Sequence, residues 1–245
     1  MNKKNILILV SSILLVAIAL FAYMFLNKQK PIEEVVQFEE ILLVDDKGYS
    51  NINTLNLDKN LEKTKIVELS KVEIDDLSFM REEEKMAHDI YKVLFDNFGQ
   101  IVFENIYKSE QTHTEAIKKL LDKYELGDIV RDNNVGSFEN AELKKMYIEL
   151  LEKGTKTIKT SFEVGAMVEE IDILDLQEKI KNTDKQDIIF VYENLMKGSR
   201  NHLRAFVKNY ENLTGQKYVP QYLSQAEYDN ILSMQVERGN NKNNK

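Results

Sequence analysis

Phe103, Ile106, Glu110, His113, Ile117, Leu120 and Tyr124 follow one another at alternating steps of three and four. That spacing keeps all seven on one side of a helix, the side that packs inward. Five are large and mostly apolar, and the two in the centre are a carboxylate and an imidazole one turn apart. A core stripe of this kind must pair those groups, bind something with them, or lose several kcal/mol. Ser109-Glu110-Gln111-Thr112-His113 therefore constrains the chain more than any other stretch.

The same interruption recurs in three other expected helices. The first begins near Leu77, behind the acidic Glu73-Ile74-Asp75-Asp76, and ends at Gly99. Its stripe is Met80, Glu84, Ala87, Tyr91, Leu94 and Phe98. The third, from about Thr157 to Lys181, has Phe162, Ala166, Glu169, Ile173, Leu176 and Ile180. The fourth, from about Lys185 to Asn212, has Ile188, Tyr192, Leu195, Ser199, His202 and Phe206. A polar loop, Gly127 to Ser137, and a short helix capped by Asn140 and stopped by Gly154 separate the second from the third. Another short helix starts at Ser224, after Pro220. Only 9 Gly and 2 Pro occur in 245 residues, which argues for few, long elements. The expected fold is all-α, a four-helix bundle over 73–236.

A bundle brings Glu84, Glu110, His113, Glu169 and His202 to one depth. Each alone has a plain explanation. A single seam Glu bends to solvent, Glu-x-x-His arises by chance, and a core His is satisfied by neighbours. Recurrence in every stripe favours a bound cation, which relieves the repulsion of three buried carboxylates. Three carboxylates and two imidazoles suit iron or manganese. The chain has no Cys, which excludes disulfides, iron–sulfur clusters, zinc–thiolate sites and cysteine nucleophiles. With 3 His, carboxylates must dominate any site, favouring iron, manganese, calcium or magnesium over a His-rich zinc centre. His88 falls one step off its seam and reads as a surface residue or a support for a ligand. A net charge of -8 argues against nucleic acid as partner.

Residues 1–30 read as a membrane segment. Lys3 and Lys4 precede an apolar run from Ile6 to Leu26, broken only by Ser11 and Ser12. At roughly 20 residues it suffices for a bilayer span. Ala17-Ile18-Ala19 offers a small-x-small cleavage pattern, so secretion after cleavage is the alternative. The early position and the acidic Glu33-Glu34 place the following domain outside the cytoplasm. Residues 31–72 hold short apolar patches such as Ile41 to Val44 and no persistent period, and read as a tether with a short strand or helix that packs loosely, or equally as a disordered spacer. Residues 237–245 read as a disordered tail. The expected partners are a metal ion and the membrane; a homodimer is admissible.

Glu84-x-x-Ala87-x-x-x-Tyr91 and Glu110-x-x-His113 resemble the ferritin-like superfamily, in particular rubrerythrin-type di-iron bundles. From roughly Leu77 to Leu232 the chain more closely resembles the family labelled domain of unknown function 2202. That likeness rests on Met80-Arg81-Glu82-Glu83-Glu84-Lys85-Met86-Ala87, Ser109 to His113, Val168-Glu169-Glu170-Ile171-Asp172-Ile173, Tyr192-Glu193-Asn194-Leu195, Gly198 to Phe206, and Pro220 to Ser224. The superfamily implies a carboxylate-bridged di-iron centre that reacts with oxygen or peroxide, with Glu84, Glu110, His113, Glu169 and His202 as ligands. There is a departure, because a second Glu-x-x-His would put Glu where Ser199 stands. Asp172 or Glu170 could replace it; otherwise the site holds one metal or an asymmetric pair. The resemblance implies an iron oxidoreductase in which Tyr91 or Tyr192 could relay an electron, though plain core packing explains both. Arg200 and Arg204 are candidate supports for His202. A non-enzymatic metal-binding or sensory module, and a structural bundle pairing Glu110 or Glu169 with protonated His202, are the competing readings.

Overall fold

The computed structural model describes residues 36–45 and 49–238. The described residues form a short antiparallel hairpin, β1 (Leu42–Val44) and β2 (Ser50–Ile52), followed by seven helices. They are α1 (Thr54–Leu61), α2 (Lys71–Phe98), α3 (Ile101–Lys123), α4 (Ala141–Gly154), α5 (Ile158–Lys181), α6 (Gln186–Thr214) and α7 (Gln225–Ser233). The fold is mostly helical, as expected. None of these helices is long and apolar enough to cross a membrane. The apolar run from Ile6 to Leu26 and residues 239–245 of the expected tail lie outside the described residues.

Local chemistry sets the helix ends. Asn140 and Ser224 cap α4 and α7 through their side chains, and Gly99 and Gly215 close α2 and α6 in the left-handed conformation. Helix α2 starts six residues earlier than the sequence reading placed it. Ser70 and Glu73 form a reciprocal capping box, and that start signal outweighs the acidic run behind which the start was expected.

Four long helices carry the core. α2 packs along α3 and α5 along α6, while α2 also meets α5 and α3 meets α6. Two apolar layers result. One gathers Tyr91, Phe103, Phe162, Leu203 and Phe206, with the Phe103 and Phe162 rings stacked at 5.6 Å. The other gathers Leu77, Met80, Ile117, Leu120, Leu176, Ile188 and Leu195. Each of these large side chains contributes about 1.5–3 kcal/mol when buried, which is what lets the fold carry a polar level among them.

The expected loose tether is a correction. Within it, Ile41 and Leu57 are fully buried in the second apolar layer, and Leu42, Ile52 and Leu61 join them. The hairpin pairs Leu42 with Ile52, and its outer edge is bonded to helix side chains: the Ile52 N–H donates to Thr112 Oγ1 at 2.9 Å. Residues 38–72 belong to the same compact unit as the helices. Glu237, assigned to the disordered tail, is likewise held, accepting hydrogen bonds from Arg200 and Arg204.

Candidate metal centre

Each long helix delivers its seam group to one level between the apolar layers. α2 brings Glu84, α3 brings Glu110 and His113, α5 brings Glu169 and Asp172, and α6 brings His202. All six side chains are at most 5% exposed, so water cannot solvate them.

Glu110 lies at the middle. Its Oε2 is 2.8 Å from His113 Nδ1, and its Oε1 is 2.8 Å from His202 Nδ1. Glu84 Oε2 stands 3.4 Å from His113 Nδ1 and Glu169 Oε1 3.6 Å from His202 Nδ1. The two imidazoles lie nearly parallel, their centroids 5.4 Å apart. Two triads follow, Glu84–Glu110–His113 and Glu110–Glu169–His202, each with its ligating atoms within 4.8 Å of one another, and Glu110 is common to both.

These close approaches are ion pairs without the alignment of ordinary hydrogen bonds. Both ring nitrogens of His113 and His202, Glu84 Oε1, Glu110 Oε1 and Asp172 Oδ1 are buried without a hydrogen-bond partner. A buried polar atom left in that state costs roughly 1–3 kcal/mol, and this level collects seven. Carboxylates and imidazoles that crowd in poor hydrogen-bond alignment fit a shared cation once the imidazoles give up their protons. Two of the remaining oxygens accept from protein donors. Tyr91 Oη donates to Glu169 Oε1 at 2.6 Å, and the Ser199 hydroxyl donates to Asp172 Oδ2.

The protonation of the metal-free level reflects this crowding. Burial raises the Glu84 carboxyl to about 7, against the pull of His113. Burial also raises Asp172 well above the usual carboxylate range, helped by Glu84 and Glu169. Burial alone would lower both imidazoles. Glu110 and Glu169 instead carry His202 up to about 9, and Glu110 and Glu84 hold His113 well above its ordinary value. Glu110 runs the other way: burial would raise it, but the two histidines keep it well below the normal range.

The structure thus gathers Glu84, Glu110, His113, Glu169 and His202, and it sets the two candidate replacements apart. Asp172 faces the level. Glu170 points to the opposite side of α5, where it accepts from Tyr218 Oη at 2.6 Å and from the backbone N–H groups of Gln221, Tyr222 and Leu223. Its rotation by one residue, about 100° around the helix, removes it from the set. His88 stays off the level, 2.9 Å from Asp89 and edge-on to Tyr107. Arg200 and Arg204 turn to Glu237 and do not reach the level's carboxylates.

Two features escaped the sequence reading. Gly198 sits against the His113 ring; a Cβ there would lie 2.7 Å from Cε1 and 2.8 Å from Nε2. A glycine inside a long helix costs roughly 1 kcal/mol relative to alanine, and that cost was the available signal. The hairpin is the second feature. Ser50 Oγ accepts from Asn201, beside His202, and Ile52 bonds Thr112, beside His113. It closes the α3–α6 seam over both histidines.

Comparison with known proteins agrees over the helical region. The family described as "Uncharacterized protein domain (DUF2202)" matches residues 73–235. The chain is 48% identical over 174 residues to Uncharacterized protein MJ0754 of Methanocaldococcus jannaschii, spanning 71% of this chain and 94% of that one. The crystal structure of hypothetical protein MJ0754 from Methanococcus jannaschii superposes with a TM-score of 0.69 at 46% identity, covering 71% of this chain and 99% of that chain.

Proposed function

We propose that this chain, which belongs to the DUF2202 family, is a ferritin-like four-helix-bundle metal-binding protein, tethered to a membrane by its N-terminal segment, that holds iron, with manganese as the alternative ion. The observation that carries this reading is Glu110, whose two oxygens each face one imidazole and which belongs to both ligand triads. One carboxylate common to two triads suits a pair of ions better than a single one.

In this reading Glu84 and His113 hold one ion and Glu169 and His202 the other. Glu110 lies between, and Asp172 supplies from α5 the carboxylate that Ser199 lacks on α6. A bound iron pair would supply one-electron steps to dioxygen or a peroxide, the chemistry of an oxidase or peroxidase. The protein's own part is to orient and to exclude water. Tyr91 fixes Glu169, Ser199 fixes Asp172, Gly198 admits the His113 ring, and the hairpin shields the histidine side. No cysteine is available for an electron-transfer centre, so reductant must come from another protein or a small molecule.

A non-enzymatic metal-binding or sensory role is the second reading. It is favoured by the Ser199 hydrogen bond, which engages one Asp172 oxygen and leaves one for a metal. Metal content separates the possibilities. The full-length chain, purified without chelator and loaded anaerobically with ferrous iron, is expected to carry two ions, lost in Glu110→Ala/His113→Ala. At one hundred times the dissociation constant, iron should stabilise the chain by about 2.7 kcal/mol. Two ions with oxidation faster than free iron support the oxidoreductase; two ions without turnover support the binding role. A folded chain that takes no metal overturns both.

A further inference from the structure

The hairpin stands ahead of the region that matches the family, residues 73–235, yet it is seated on that region beside both histidines. The helix pairs α2–α3 and α5–α6 meet along two seams, α2–α5 and α3–α6, and β2 lies in the second, against both helices. Hydrogen bonds and packing fix it there. The Ile52 N–H donates to Thr112 Oγ1 at 2.9 Å, one residue before His113. Ser50 is fully buried, and its Oγ accepts from Asn201 Nδ2 at 2.8 Å, one residue before His202. Gly198 adds a packing link. The point where its Cβ would stand is 2.7 Å from the His113 ring and 3.7 Å from Ser50 Cβ. A candidate ligand and the hairpin therefore share one packed spot on α6.

Asn201 is the junction. Besides binding Ser50, its Nδ2 donates to the Glu237 carbonyl at 3.0 Å, and its Oδ1 accepts from the Glu237 N–H at 2.9 Å and from Arg204 Nη1 at 2.8 Å. The hairpin and the segment after α7 are thus both tied to the residue that precedes His202. Apolar side chains alone could seat a strap anywhere along the seam. This one is tied next to each of the two imidazoles.

Resting on the metal-centre reading above, we propose that the hairpin is a cap coupled to the metal centre: an ion in the centre tightens the hairpin's seat, and the seated hairpin slows the ion's release. An ion held by ligands from both α3 and α6 fixes the spacing of the two helices that the hairpin bridges. Loading therefore tightens the seat. A close-packed interior has little slack to absorb a shift of the His113 ring, so Ser50 feels it across Gly198. By linkage, the factor by which metal strengthens the seat is the factor by which the seat strengthens metal binding. The chain runs from the hairpin back toward the N-terminal segment, which gives the sensory reading a path out of the bundle.

Cobalt(II) provides the probe, because its visible absorption reports ligation. Amide hydrogen exchange is followed by mass spectrometry in the metal-free and the cobalt-loaded full-length chain. Exchange at Ile52 should slow by about 5–150-fold on loading, the usual range of coupling between sites. The slowing should exceed that of the α4 amides, which report general stabilisation by the ion. Release is the second arm. Loaded wild type, Ser50→Ala and Thr112→Val are mixed with chelator, and both variants should start with the wild-type cobalt content and lose it about fivefold faster or more. Thr112 adjoins His113, so Ser50→Ala, whose change lies on the hairpin, decides if Thr112→Val binds less cobalt. Slowing at Ile52 no greater than in α4 overturns the proposal, and so does a wild-type release rate in Ser50→Ala. With normal loading of the wild type, either result leaves the metal-centre reading standing. A wild type that binds neither cobalt(II) nor ferrous iron removes both.

Discussion

Glu169 and Glu170 are consecutive, both are buried, and they live in opposite surroundings. Glu170 is served: Tyr218 and three backbone N–H groups of the segment before α7 converge on its two oxygens. It stitches the C-terminal segment to α5. Glu169 receives one well-formed hydrogen bond, from Tyr91, and faces a level where carboxylates and imidazoles crowd as poorly aligned ion pairs. Burial of a charge is therefore not what sets the candidate metal centre apart in this molecule. What marks it is buried valence that the protein leaves unsatisfied.

The comparison breaks if the two residues respond alike to mutation. Glu170→Ala strands the buried Tyr218 hydroxyl and Leu223 N–H and two partly buried N–H groups, and should destabilise the fold by about 2–4 kcal/mol, measured by urea unfolding. Glu169→Gln keeps an acceptor for Tyr91 and removes a crowded charge. The metal-free variant should unfold within about 1 kcal/mol of wild type and yet lose iron. Equal destabilisation of the two metal-free variants would mean that the level is an ordinary structural network.

Titration sharpens the contrast next. In the metal-free protein Glu84 holds its proton to about pH 7, chiefly through burial, and His202 to about pH 9, where Glu110 and Glu169 overcome burial's opposite pull. Both values lie above those of the unfolded chain, so the native state binds more protons between about pH 5 and 9. These groups therefore make metal-free stability fall as pH rises through that window. Metal affinity has the opposite sign. An ion must displace those protons, so affinity should rise toward pH 9, by up to about tenfold per pH unit for each proton released. Calorimetric titration in two buffers of different ionisation enthalpy counts the protons. A flat profile would mean that these side chains are not the ligands.

The level was legible in the sequence because its residues interrupt long 3.6-period stripes, and a carboxylate in such a stripe stands out against Ile106 and Ile117 or Leu94 and Phe98. The choice between Glu170 and Asp172 was not legible. It depends on a rotation of one residue around α5 and on Tyr218, nearly fifty positions downstream. The hairpin was hidden for a related reason. Strands of three residues carry no readable period, and Ser50 and Ile52 acquire their burial from Asn201 and Thr112, far along the chain. Burial of that kind comes from tertiary contact, which leaves no local trace in residues 31–72.

Ser199 gives the smallest expected effect and the finest test. Its hydroxyl orients Asp172 and touches none of the other candidate ligands. Supporting groups of this kind typically change metal affinity by about 10–100-fold, and Ser199→Ala should lie near the lower end because Asp172 stays in place. Asp172→Asn, which removes the charge itself, should weaken binding further. The double variant decides how Ser199 acts. If it works through Asp172, Ser199→Ala adds little once Asp172 is Asn, and the two losses are not additive. Additive losses would place Ser199's influence elsewhere, and the level would then hold its metal with the five ligands of the four helix seams and no carboxylate in place of the one absent from α6.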